Sequence, residues 1–370
     1  MKRFGRWLMV GMVVLGSTQF SSGEEEAKPV DFFPWSAPKG GPTAELSLYV
    51  IRPYFTDNAA FTTTNGAGTG NPSASTTDYP WNFSAAPAIS FGWVSECGLG
   101  IRAHYFNFAD SSGNVTTSLS PAELAAGTTR INAPVVGLPT LTPPITFGAP
   151  GGLTALASIF GAAPVGDHLS FNSHLRVDVW DLEGQANLEK GPWLLTYFLG
   201  GRYLNLTQQY GGTLNGSADT APARGTGIAT ESQTLSASHD FIGGGPTTAL
   251  QAKIHLLHGL SVYGNARGSL LFGRSHETAS FTQSVTDPSG ILLGGIPSSA
   301  VSSQFSRNRQ TVLPVAEIDV GLEYGMKLWG TYSYARTAVV NETYFGAGSA
   351  SHTDGNFGLF GVQFTVGVDF

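Results

Sequence analysis

Beyond residue 42 the chain repeatedly alternates apolar and polar side chains with a period of two, the mark of a strand with one greasy and one wet face. Ala44, Leu46, Leu48 and Val50 form one such row. Val262, Gly264, Ala266, Gly268 and Leu270 alternate with Tyr263, Asn265, Arg267 and Ser269. Ile318, Val320 and Leu322 alternate with Glu317, Asp319, Gly321 and Glu323. The closing run is the sharpest: Phe360, Val362, Phe364, Val366, Val368 and Phe370 take every second position, with Gly361, Gln363, Thr365, Gly367 and Asp369 between them. The pattern predicts ten strands, at 43–56, 81–94, 99–109, 169–188, 193–210, 235–255, 260–276, 304–323, 328–343 and 356–370.

The connections sharpen this. Four are four residues long (95–98, 189–192, 256–259 and 324–327) and alternate without exception with five long ones (57–80, 110–168, 211–234, 277–303 and 344–355). Tight inner turns and long outer loops belong to an up-and-down membrane barrel. The expected fold class is therefore all-β: a transmembrane antiparallel up-and-down β-barrel of about ten strands over 43–370, with both termini periplasmic. Twelve strands result if 110–168 hides a hairpin, for which Val115–Leu119 and 130–136 are the candidates. A soluble sandwich is the competing reading, but its apolar outer face would need a second sheet over it. Pro53, Pro87, Pro246 and Pro314 fall inside the strands and call for bulges or strand ends there, because proline cannot donate to a ladder.

Composition fits a barrel. Charged residues are 12%, aromatics 11% and Gly 48 of 370, whereas soluble domains carry about 25% charged residues. Lys2, Arg3 and Arg6, the apolar run from Trp7 to Gly16 and the small polar stretch to Gly23 read as a signal peptide over 1–23. Its removal leaves 16 Lys and Arg against 26 Asp and Glu, a net of −10, which gives no reason to expect nucleic acid. Residues 24–42 read as a periplasmic lead-in with Phe32, Phe33 and Trp35 as seating groups. Cys97 has no intramolecular partner and reads as a small residue in a turn.

Apolar positions facing lipid put the interleaved polar ones in the lumen, since Arg or Lys on the lipid face near the midplane costs about 2–4 kcal/mol. The expected lumen wall is Arg102, His104, His174, Arg176, Asp178, Asp181, Glu183, Arg202, Arg267, Glu317, Asp319, Glu323 and Arg336, with Arg202 and Arg336 on strands of ambiguous phase. The phase slips between Val179 and Leu182, and a bulge near Trp180 and Asp181 would account for it. Either these charges bias which solutes pass, or they pair with one another and fill the lumen, as a barrel of about eight strands does. Segment 134–164 is apolar for an outer loop and could narrow the pore, form a surface lid or bind a partner.

The stretch from His174 to Leu206 (HLRVDVWDLEGQANLEKGPWLLTYFLGGRYLNL) resembles the central hairpin of the Legionella-type major outer membrane protein family, a porin-like group. His239–Arg274 (HDFIGGGPTTALQAKIHLLHGLSVYGNARGSLLFGR) resembles its next hairpin, and Ala44–Phe55 and the closing strand also fit. The resemblance implies an outer-membrane barrel and a passive pore for small hydrophilic solutes, with no catalytic residues and no cofactor. Phe364, Val366, Val368 and Phe370 form the expected recognition signal for the barrel-assembly machinery. Expected partners are that machinery, outer-membrane lipid, small solutes and, as a further candidate, a second copy in a homo-oligomer. Two other functions compete. One is a structural or adhesive barrel with a closed lumen that presents its loops. The other is a rim-active hydrolase using His239, Asp240, His352 and Asp354, which requires those side chains to converge. The histidines lack metal-ligand spacing, and no Ser/His pair is visible in the sequence.

Overall fold

The structure, a computed structural model, describes residues 40–65, 72–119, 130–134, 145–147, 163–219, 228–257, 259–286, 298–328, 331–350 and 355–370. The expected signal peptide and most of the lead-in lie outside them. Among the described residues fifteen strands are formed: β1 Gly41–Phe55, β2 Ala59–Asn65, β3 Ser73–Asp78, β4 Ser84–Val94, β5 Leu99–Ser111, β6 Val115–Leu119, β7 Arg130–Ala133, β8 Ile145–Phe147, β9 Ala163–Lys190, β10 Trp193–Asp219, β11 Ile228–Leu257, β12 Leu260–Thr286, β13 Ser298–Leu328, β14 Thr331–Tyr344 and β15 Phe357–Asp369.

Ten of them close an antiparallel ring in the order β1-β4-β5-β9-β10-β11-β12-β13-β14-β15 and back to β1. These are the ten strands the alternation predicts. The twelve-strand alternative does not hold. β6 pairs only with the outer end of β9, and β7 joins β2, β3 and β8 in a separate four-stranded sheet. Tight turns join β4 to β5, β9 to β10 and β11 to β12, and Gly98 (φ 81°), Gly191 (φ 61°) and Gly259 (φ 85°) supply the left-handed conformation these turns need. Cys97 lies exposed in the first of them, and hydrogen bonding from Ser95 draws its thiol below the usual range.

The prolines sit where one neighbour has already ended, not at bulges. Pro53 lies beyond the last rung between β1 and β4, Pro87 before the first rung between β4 and β5, and Pro314 just above the first rung between β13 and β14. Pro246 falls in a gap in the β11–β12 ladder between Gly244 and Thr247. Each missing N–H therefore costs no rung.

The wall is uneven. β9 to β13 run 27–31 residues, whereas β1, β4, β5, β14 and β15 run 11–15. At about 3.3 Å per residue, roughly 10 residues suffice to cross a bilayer, so the longer strands stand well above it. The side-chain pattern changes where they emerge. Toward the turns, apolar side chains point out: Leu182, Leu188, Leu199, Leu270, Ile318 and Phe364 are all exposed. Toward the loops, apolar side chains point in: Val177, Val179, Leu204, Leu206, Leu271, Leu313 and Val340 are all buried. Lipid outside and a polar interior give way to water outside and a packed core.

That exchange, and not a bulge, is why the phase of β9 seems to slip. The ladders of β9 with β5 and with β10 run unbroken through Trp180 and Asp181. Leu175, Val177 and Val179 face the core, so His174, Arg176 and Asp178 face outward. The expectation that these three line the lumen is corrected. They avoid the cost of charge on the lipid face because they sit above the apolar band, past the tilted, contacting rings of Tyr105 and Trp180 (centroids 4.3 Å apart) that mark its upper edge. Cysteine placed at Arg176 is therefore expected to react with a membrane-impermeant maleimide added to intact cells. Protection equal to that of a cysteine at Glu183, which faces inward, would restore the inward reading.

Candidate functional site

The interior has two layers. The inner one is polar and is built from the inward positions of every ring strand. Arg202 on β10 is its hub. Its guanidinium grips Asp181 on β9 in a two-pronged pair (2.7 and 2.9 Å) and donates to Glu317 on β13 (3.2 Å) and Glu342 on β14 (3.1 Å). β10 and β14 stand four strands apart in a ring of ten, so this one side chain crosses the lumen. Arg267 on β12 pairs with Glu183 and reaches Glu317 (3.3 Å). Arg102 on β5 donates to Glu183 (2.7 Å) and stacks on the Phe198 ring at 4.0 Å. His104 approaches Asp181 at 3.5 Å, and Asn265 holds Asp319 at 3.0 Å.

Nearer the turns a second group closes the section. Lys253 and Arg336 both donate to Glu323 (2.9 and 2.5 Å), and Arg336 and Tyr334 both donate to Glu45 (2.9 and 2.5 Å). Ser47 and Thr365 share a hydrogen bond of 2.7 Å beside them. Glu45, Lys253 and Glu342 were not singled out in the sequence, although Glu45 lies between Ala44 and Leu46 in a row already read as outward. Of the expected lumen residues, Arg102, His104, Asp181, Glu183, Arg202, Arg267, Glu317, Asp319, Glu323 and Arg336 do face inward and meet here.

The outer layer is apolar. Phe106, Phe108, Val177, Leu204, Leu206, Leu271, Leu313, Tyr344, Phe357 and Leu359 pack into one core. The small β2-β3-β7-β8 sheet seals it. Phe61 packs on Phe171 (centroids 5.1 Å), Tyr210 donates to the Ala60 carbonyl (2.8 Å), and Tyr79 donates to the Asn172 carbonyl (3.0 Å). Burial raises the Tyr79 hydroxyl above its usual pKa and keeps it a donor. Where the layers meet, a cavity of about 30 Å3 remains, with Tyr49, His104 and Glu342 on its polar side and Ile51, Phe106 and Leu359 on its apolar side. That volume has room for water and is too small for a solute. Segment 134–164 lies largely outside the described residues.

The rim-hydrolase arrangement does not assemble from its described members. His239 is buried in the interior, whereas Asp240, the next residue on β11, points the other way; His352 and Asp354 lie outside the described residues. One pair unseen in the sequence does form: His239 Nε2 and Ser275 Oγ are 2.7 Å apart, brought together by the β11–β12 ladder across 36 residues. Ser275 is 1% exposed within packed wall, so the pair is a buried polar contact.

The outward halves of Phe364, Val366 and Phe370 lie exposed on β15 and its end, as a lipid-facing strand requires. Among solved structures, the outer membrane protease OmpT from Escherichia coli is similar at 12% identity and TM-score 0.33, covering 90% of this chain and 96% of its own. The CymD monoaromatic hydrocarbon channel is similar at 7% identity and TM-score 0.25, covering 90% and 89%. The transport unit of the autotransporter AIDA-I from Escherichia coli is similar at 8% identity and TM-score 0.23, covering 92% of both. At these scores the likenesses carry no argument about function. No curated protein matches the chain. The family model of the Legionella pneumophila major outer membrane protein precursor matches residues 44–370, nearly the whole barrel. The chain belongs to that family, and its place is the cell outer membrane.

Proposed function

We propose that this protein is an outer-membrane barrel with a closed lumen, which displays its tall outer wall and loops at the cell surface. The observation that carries this is the lumen itself: Arg202 bridges opposite walls, and an apolar layer sealed by an inserted sheet lies over it. On this reading the ion-paired layer and the apolar layer close the lumen in series.

A second reading, a pore for passive diffusion of small hydrophilic solutes, is favoured by one feature. A closed barrel is as stable with an apolar fill as with buried ion pairs, yet this lumen is charged. Five carboxylates (Asp181, Glu183, Glu317, Asp319 and Glu342) face three guanidiniums (Arg102, Arg202 and Arg267) in its middle section. An opened lumen would select cations.

Single-channel recording of the folded chain in a planar bilayer separates the two. The closed barrel gives no steps at neutral pH and moderate voltage from protein shown to be folded by its heat-modifiable mobility. Stable ohmic, cation-selective steps would establish the pore instead and end the closed-lumen reading.

A further inference from the structure

The outward face carries three arginines at its outer rim, each beside or just above an exposed aromatic. The Arg52 guanidinium on β1 lies 5.4 Å from the centroid of the Phe83 ring. Arg176 on β9 stands two outward positions above Trp180. Arg274 on β12 is the next outward residue above Phe272. All three are exposed. Arg176 is also held in place. Its Nε donates to Asp178 (2.8 Å), and Asn107 (2.6 Å) and the Tyr105 hydroxyl (3.3 Å) donate to that carboxylate. Asp178 is thus occupied; Arg176 Nη2 also reaches it (3.5 Å), and 61% of the Arg176 side chain is exposed. The other outward acid at this level, Asp240, accepts from Ser238 (3.4 Å).

We propose that Arg52, Arg176 and Arg274 form a collar that binds the phosphate groups of an anionic glycolipid in the outer leaflet. Exposed aromatics mark the depth at which hydrocarbon gives way to headgroups, so the next outward position meets the headgroup itself. A guanidinium there offers a planar fork that matches phosphate oxygens, which an ammonium does not. Each basic side chain near an anionic membrane surface strengthens binding by about fivefold.

The test titrates bisphosphorylated lipid A, and lipid A stripped of its phosphates, into the folded barrel in neutral detergent, with binding read by native mass spectrometry. Three proteins are compared: the unaltered chain, a triple Arg52→Gln, Arg176→Gln, Arg274→Gln variant, and Arg307→Gln, which removes an exposed arginine of β13 outside the collar. The arginines stand three or four strands apart in the ring and each meets its own lipid, so the triple variant is expected to bind the phosphorylated lipid about fivefold more weakly at each position, to bind the stripped lipid as before, and to keep its heat-modifiable mobility. Arg307→Gln should bind like the unaltered chain. Equal binding by the triple variant and the unaltered chain overturns the collar. So does an equal loss in Arg307→Gln, which would reduce the effect to general charge attraction.

Discussion

Replacing Arg202 by Met is expected to lower the stability of the folded barrel by about 3–5 kcal/mol. Arg202 is 4% exposed, and its guanidinium serves Asp181, Glu317 and Glu342 together. Without it Glu342 loses its ion pair, Asp181 and Glu317 keep only the Arg267 guanidinium (3.6 and 3.3 Å), and an uncompensated buried charge costs far more than the intact pair contributes. The measurement is the urea midpoint in detergent, followed by loss of the compact electrophoretic form. Adding Asp181→Asn should recover a substantial part, because the double change removes charge of both signs and leaves one fewer unpaired acid. A loss below about 1 kcal/mol, the range of exposed pairs, would mean that water already fills this section, and the closed-lumen reading would fail with it.

The ten ring strands were legible because two independent signals agree on them: alternation within each strand, and short connections taking turns with long ones. The lumen charges nearer the turns were legible for the same reason. Arg267, Glu317, Asp319 and Glu323 interleave with side chains that can only face lipid. What failed is instructive. Alternation reports that two faces differ, and says nothing of which one is inside. In β9 the apolar face is outward at Leu182 and Leu188 and inward at Val177 and Val179, with no break in the ladder. Reading a constant apolar-out rule through that point forces an imaginary bulge and turns His174, Arg176 and Asp178 the wrong way. β10 hides the same exchange, with Leu199 outward and Leu204 and Leu206 inward, which is why the phase of Arg202 was ambiguous. A reversal of polarity without turn residues is itself a signal: it marks the height at which a strand leaves the membrane. The β2-β3-β7-β8 sheet carried no such signal, since its strands are short, rich in Thr, Ser and Ala, and held by contacts far along the chain.

Phe171→Ala tests whether the two layers are separate structures. Phe171 is fully buried against Phe61 and Tyr210, and emptying that site is expected to cost about 3–5 kcal/mol. The loss should stay local. Phe171 lies ten residues above Asp181 on β9, about 33 Å along the strand, and touches none of the lumen charges. The expected result is faster cleavage of the outer wall by a protease added from outside, with the membrane-embedded ring still compact on a gel. Combined with Arg202→Met, the two losses should add within about 0.5 kcal/mol, as they do for sites without shared partners. Strong coupling would show that the apolar layer and the ion-pair layer fold as one unit. Additivity has a consequence for transport. Two independent closures in series leave the lumen shut when either one is breached, so loosening the outer seal alone admits water to the ion pairs but no solute past them.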